Sequence, residues 1–262
     1  MNALNICYYY KKWYLDGQAS LQNLVIFDLT YADALAFAWF LLCWIGYTQY
    51  SERKARNKNC LASVLHQQRC RWMSEMLARE NRVADAALIA NLERNVSFFA
   101  SSTLIILAGI LTVLGAADRV ISLAEELPFA VHASKVAWEL KLFVLMAIFV
   151  YAFFKFSWAL RQYGFASVVI GMAPAKSSSV KTTSSEFTRG AGSVISRAAY
   201  AFNLGLRSYY FGLAFLLWFV NPWIFMATST WVVGVLYRRE FHSNALKALI
   251  RVNNAIFGGD SS

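Results

Sequence analysis

NVSFFASSTLIILAGILTVLG, Asn95 to Gly115, holds no Asp, Glu, Lys or Arg in 21 residues. As an α-helix it is about 31 Å long, which matches the ~30 Å hydrocarbon core of a bilayer and predicts a transmembrane helix. Its first turns carry Ser97, Ala100, Ser101, Ser102 and Thr103 where a lipid-facing span carries Leu and Ile. Ser97, Ser101, Ala108 and Thr112 step by about one or two turns and form a small-residue face. Such a face lets another backbone approach closely, from within the chain or from a second one.

Composition agrees with a membrane solvent. Of 262 residues, 58% are apolar, 16% are aromatic and only 15% are charged, too greasy a balance for an ordinary water-soluble domain. The net charge of +10 is concentrated: nine of 25 basic residues lie in Ser51–Arg94 and six in Arg161–Arg207. Basic residues that flank apolar runs follow the positive-inside rule, so the predicted partner is the lipid bilayer and not nucleic acid. Cys7, Cys43, Cys60 and Cys70 form no C-x-x-C pair and no zinc spacing with His66, His132 and His242. No disulfide framework, metal or cofactor is expected, and Cys60 and Cys70 are expected to be free thiols on the reducing side. No cleavable signal peptide is visible, so the first membrane helix is expected to target the chain as well.

The apolar runs predict an all-α, polytopic helical protein with four spans and a long amphipathic cytoplasmic helix. An aromatic N-terminal extension (1–29), with Tyr8, Tyr9, Tyr10, Trp13 and Tyr14 beside Lys11 and Lys12, suits the headgroup zone. Span one covers 30–50, with Asp33 near its start, leaning outward and expected to stay wet. The basic region 51–94 reads as helical, with Trp72, Met73, Met76, Leu77, Val83, Ala87, Leu88 and Leu92 mostly at three- and four-residue steps. Span two is 95–115, an outer loop is 116–135 and span three is 136–160. A basic region with a Ser/Thr-rich linker follows (161–210), then span four (211–236) and a tail (237–262). The glycines of Gly190-Ala191-Gly192-Ser193 lack the strand and the Lys-Ser/Thr ending of a phosphate loop.

Span three carries Lys141 and Lys155, each some 4–5 Å inside a ~30 Å core. Lys141 leans outward and snorkels, whereas Lys155 leans toward the bilayer centre. Lys155 therefore pairs with a carboxylate, Glu93 first and Asp85 second, or bends back to the interface beside Trp158 and Arg161. Span four is long for one crossing at 26 residues and is interrupted at Asn221-Pro222. Four kinked spans are preferred to a re-entrant hairpin there, because the two arms look short.

Several strings together resemble a known family: Arg71-Trp72-Met73, Arg79-Glu80-Asn81-Arg82, Asn91 to Ser101, Tyr151 to Arg161, Gly205-Leu206-Arg207, Trp218 to Trp223 and Arg238-Arg239-Glu240-Phe241. They are similar to the bacterial and plant membrane-protein family catalogued as domain of unknown function 599, over about residues 28 to 250. The resemblance implies an integral membrane protein and brings no activity, cofactor or catalytic residue with it.

No activated nucleophile, carboxylate pair or metal cluster is apparent, so an enzyme is not expected. The expected role is an interaction or accessory subunit, or a self-associating helical bundle, in a multi-pass protein of the bacterial cytoplasmic (inner) membrane. Its partners would be a second copy or other membrane-protein subunits. The alternative is an oligomeric channel or carrier for a small anionic solute, with Lys155, Arg161 and Arg94 at its mouth.

Overall fold

The computed structural model describes residues 30–57, 60–119, 134–174 and 184–257. The aromatic N-terminal extension, most of the outer loop and the centre of the Ser/Thr linker lie outside the described residues.

Every regular element among the described residues is helical. Helix α1 (Tyr31–Leu41) runs through a π turn at Leu42–Gly46 into α2 (Tyr47–Asn57). Then come α3 (Leu61–Ala78), α4 (Val83–Gly115), α5 (Lys135–Met172), α6 (Ser184–Leu216), α7 (Pro222–Phe241) and α8 (Asn244–Phe257). Three helices are long and apolar enough to cross a membrane: Tyr31–Ala55, Val83–Gly115 and Lys135–Met172.

Two of these exceed the predicted spans. Helix α4 has 33 residues and α5 has 38, about 50 and 57 Å, well beyond a ~30 Å core. Their extra turns, Val83–Arg94 and Arg161–Met172, continue the helices into the basic regions, because neither stretch contains a proline or a glycine pair to stop them. The core is accordingly two clusters stacked along the bundle. At the basic end Met73, Met76, Ile89, Phe156, Tyr163 and Ile195 pack together. At the opposite end Phe40, Phe149, Phe211, Phe215, Trp218 and Phe225 do so, with the Phe40 ring edge-on to Phe211 and Phe215 at 5.8 and 5.5 Å.

The predicted amphipathic region is not one helix. It breaks at Arg79–Arg82, and α3 lies along α6 with Val64, Met73 and Met76 buried. Glycine sets the approach: a Cβ on Gly192 would stand 2.6 Å from Cys70 Sγ and 2.9 Å from its Cα. The Gly190–Ser193 string thus lies inside α6, where it serves close packing and not a helix start.

The fourth apolar segment is not a single kinked span. Asn221 is extended (φ −159°, ψ 132°), its side chain accepts the Trp223 N–H, and Pro222 opens α7 at a position that needs no N–H donor. The chain reverses there. Phe215 meets Phe225 at 5.4 Å and Arg207 meets Glu240 at 2.9 Å, so α6 and α7 form an antiparallel hairpin. The arms are not short, because α6 reaches back to Ser184 and draws in residues assigned above to a cytoplasmic connector.

Candidate functional site

Three clusters of buried charge organise the molecule, and each is built from strings that carry the family resemblance or from the ends of the apolar helices. The first is the corner between α3 and α4. Asp85 is fully buried; its Oδ1 accepts from Trp72 Nε1 at 2.6 Å and from Arg79 Nη1 at 2.8 Å, while Oδ2 has no hydrogen-bond partner among the described residues. Arg82 reaches from the same corner to the end of α5, where its Nη1 and Nη2 donate to the carbonyls of Ala173 and Pro174 at 2.6 and 2.7 Å. A cation on the terminal carbonyls of a helix offsets its negative dipole end, so the corner locks α3, α4 and α5 together.

The second cluster lies at the opposite end. Asp33 and Lys141 form an ion pair of 3.0 Å and are only 5% and 4% exposed. Trp218 Nε1 donates to Asp33 Oδ1 at 2.7 Å, Thr30 Oγ1 donates to Oδ2 at 2.7 Å, and Lys141 Nζ lies 4.9 Å from the Trp218 ring centroid. Asp33 does not stay wet and Lys141 does not snorkel, contrary to the sequence reading. The turn after α6 carries Trp218 over both side chains, and the pairing offsets the cost of removing them from water.

The third cluster joins the hairpin to α1 and α2. Arg207, 8% exposed, donates from Nη2 to both Glu240 oxygens at 2.9 and 3.0 Å, and Tyr47 donates to Glu240 Oε2 at 2.6 Å. Tyr200 donates to Glu52, and Arg239 to the Tyr210 hydroxyl at 2.7 Å. Beside this network a cavity of about 640 Å³ opens between α3, α6 and α7, walled by Leu61, Leu65 and Leu204. Arg69 projects into the same space from α3 and makes no ion pair or hydrogen bond among the described residues; burial draws its guanidinium below the ordinary value.

Several residues singled out in the sequence go elsewhere. Lys155 meets neither Glu93 nor Asp85; its Nζ lies 5.1 Å from the ring centroid of Tyr151, one turn back toward the helix N-terminus, where its side chain leans. Glu93 accepts instead from Ser167, about 18 Å farther along α5 than Lys155, because α4 extends so far into the basic end. Asp85 is engaged in the corner. Ser97, Ser101, Ala108 and Thr112 are all exposed, while the face of α4 that meets the chain is Val96, Ala100, Thr103 and Ile110, with Thr103 hydrogen-bonded to Tyr209 at 2.8 Å. The helix break at Asn221 and Pro222 is where the hairpin turns.

Arg69, Arg207 and the Asp33–Lys141 pair were not identified from sequence as a site. One signal existed for Arg207: it is the only charged residue between Ala198 and Phe219. Among the described residues no group of three His, Cys, Asp or Glu side chains converges to hold a metal ion, and Cys43, Cys60 and Cys70 are free thiols.

No curated protein and no solved structure matches the chain. The family described as "Protein of unknown function, DUF599" matches residues 35–245, a stretch that contains the corner, the Lys141 and Trp218 side of the opposite pair, the hairpin and the cavity. The chain belongs to that family.

Proposed function

We propose that this is a multi-pass protein of the bacterial cytoplasmic membrane that acts without catalysis, by lateral helix association, as a self-associating bundle or an accessory subunit. Five crossings are proposed: α1 with α2, α4, α5, and both arms of the α6–α7 hairpin. That number supports the orientation, because it returns Arg238 and Arg239 to the side of the other basic connectors, where four spans would place them opposite.

The observation that carries the interaction reading is the exposure of the small-residue face of α4. Ser97, Ser101, Ala108 and Thr112 face away from the rest of the chain, although that sequence pattern is one that admits a neighbouring backbone. In hydrocarbon such a face gains by dispersion contacts and interhelical hydrogen bonds, which lipid tails do not replace. The second reading, an oligomeric channel or carrier for a small anionic solute, is favoured by the arginine-lined cavity alone.

Oxidative crosslinking in native membranes tests the first reading. On a cysteine-free background, Ser101→Cys and Ala108→Cys should give crosslinked dimers, or adducts with a stoichiometric companion subunit. Phe143→Cys, exposed on α5, should remain monomeric. Monomers at all three positions, with no companion retained on purification, would refute association through α4. Flux of anions through reconstituted vesicles by the purified protein alone, with no crosslink through α4, would favour the second reading.

A further inference from the structure

The cavity between α3, α6 and α7 is long, and its two ends differ in what they lack. Cys70 packs on Gly192, and His66 Nδ1 and Ser196 Oγ are hydrogen-bonded at 2.8 Å, so α3 runs antiparallel along α6 and Arg69 stands at the level of Ser193. Arg207, at the other end, lies fourteen residues farther along α6, about 21 Å away. There the charged side chains serve one another. Glu240 accepts from Arg207 and Tyr47, Glu52 accepts from Tyr200, and Arg239 donates to Tyr210. Arg207 Nη1 is sealed under protein and does not open into the cavity.

The Arg69 end is unsatisfied. Arg69 is half-buried, and its guanidinium makes no ion pair or hydrogen bond among the described residues. Tyr163 lines the same end from α5, is 3% exposed, and its hydroxyl likewise has no hydrogen-bond partner among the described residues. The two groups are close enough to act on one another electrostatically. Buried donors left without an acceptor are costly, and the cavity's own carboxylates, Glu52 and Glu240, stand at the far end. One positive charge with a phenol beside it calls for a monoanion with two acceptor oxygens. A carboxylate is such a group, and it matches the planar guanidinium fork.

The walls say what the carboxylate is attached to. From Arg69 the lining continues through Leu65 and Leu61 of α3 and Ala199 and Leu204 of α6, all apolar. A volume of about 640 Å³ drawn out along α6 makes a narrow channel, the shape of one extended hydrocarbon chain. A small anion fills only the Arg69 end and leaves this channel empty. Because the charged side chains at the far end are paired with one another, a chain reaches them without displacing any of their bonds.

We propose that the cavity binds one long-chain fatty acid, with its carboxylate on Arg69 and Tyr163 and its chain lying along Leu65 and Leu61 toward the Arg207 end. The site is independent of self-association through α4.

Titration of the full-length, delipidated protein in a sugar-headed neutral detergent, read by native mass spectrometry, tests this with palmitate, hexadecanol, acetate and a lysophosphatidylglycerol of equal chain length as probes. Wild-type protein should bind one palmitate per chain, at least about tenfold more tightly than hexadecanol, the scale of one charge-assisted hydrogen bond. Arg69→Gln, which breaks no bond within the chain, should remove that preference, and Tyr163→Phe should reduce it. Leu65→Trp, which fills the channel and leaves Arg69, should exclude palmitate while circular dichroism stays unchanged. Arg239→Gln, at the far end, should bind palmitate as wild type does. Equal binding of palmitate and hexadecanol, or full palmitate affinity in Arg69→Gln, would overturn the carboxylate site. Displacement of palmitate by an equal concentration of acetate would overturn the role of the chain. Tighter binding of the lysophosphatidylglycerol than of palmitate would overturn the choice of headgroup, and unchanged binding in Leu65→Trp would place the ligand outside the cavity.

Discussion

Asp33 and Lys141 show how far a single residue's environment departs from its sequence neighbourhood. Each charge is nearly sealed from solvent and is supported by the other and by Trp218, and Asp33 also by Thr30. Removing one partner leaves an uncompensated buried charge, whereas removing both leaves two neutral side chains. Lys141→Met should therefore lower unfolding stability in mixed micelles by about 3–5 kcal/mol. The double variant Asp33→Asn with Lys141→Met should recover most of that loss. A double variant no better than the sum of the two single ones would show that the pair does not act as a unit. At this scale the sequence was only partly legible. The lean of a side chain toward the helix N-terminus gives the direction Lys155 takes, but not its neighbour, because depth along one helix says nothing about which other helix covers it. Lys141 reads as free to snorkel for the same reason, since Trp218 arrives from a turn 77 residues later.

The elements are joined by two devices that sequence reads with unequal ease. The Asn-Pro break is legible, because proline lacks the donor a continuing helix needs and biases the residue before it toward extended backbone. What followed was not legible. The hairpin depends on α6 continuing through Arg197 and Arg207, and two cations in an apolar helix read as a connector until Glu240 is seen opposite Arg207. The α3–α6 crossing depends on Gly192, whose missing side chain admits the backbone of Cys70. Gly192→Ala should push α3 off α6, at an overpacking cost of about 1–3 kcal/mol. Hydrogen exchange should then rise across Leu61–Ala78 and stay unchanged across Asn95–Gly115. Unchanged protection in α3 would mean that the crossing yields without cost.

For the whole molecule, the charge-free run of Asn95–Gly115 lies within one of three helices long and apolar enough to cross a membrane, and the family match supports the extent of the resemblance. The face of α4 that would be left uncovered was not readable, because Val96, Ala100 and Thr103 look as suitable for packing as Ser97 and Ser101 do. In the proposed arrangement the helices alternate across a bilayer, with α3, the hairpin's open end and α8 on the basic side. Sidedness of labelling tests this directly. Single cysteines are placed at Gln67, Asp118 and Asn244, all exposed, on a cysteine-free background and treated with an impermeant maleimide in right-side-out vesicles. Asp118→Cys should react at once, whereas Gln67→Cys and Asn244→Cys should react only after permeabilisation. Immediate reaction of Asn244→Cys together with Asp118→Cys would contradict the hairpin. Immediate reaction of all three would contradict the membrane arrangement as a whole.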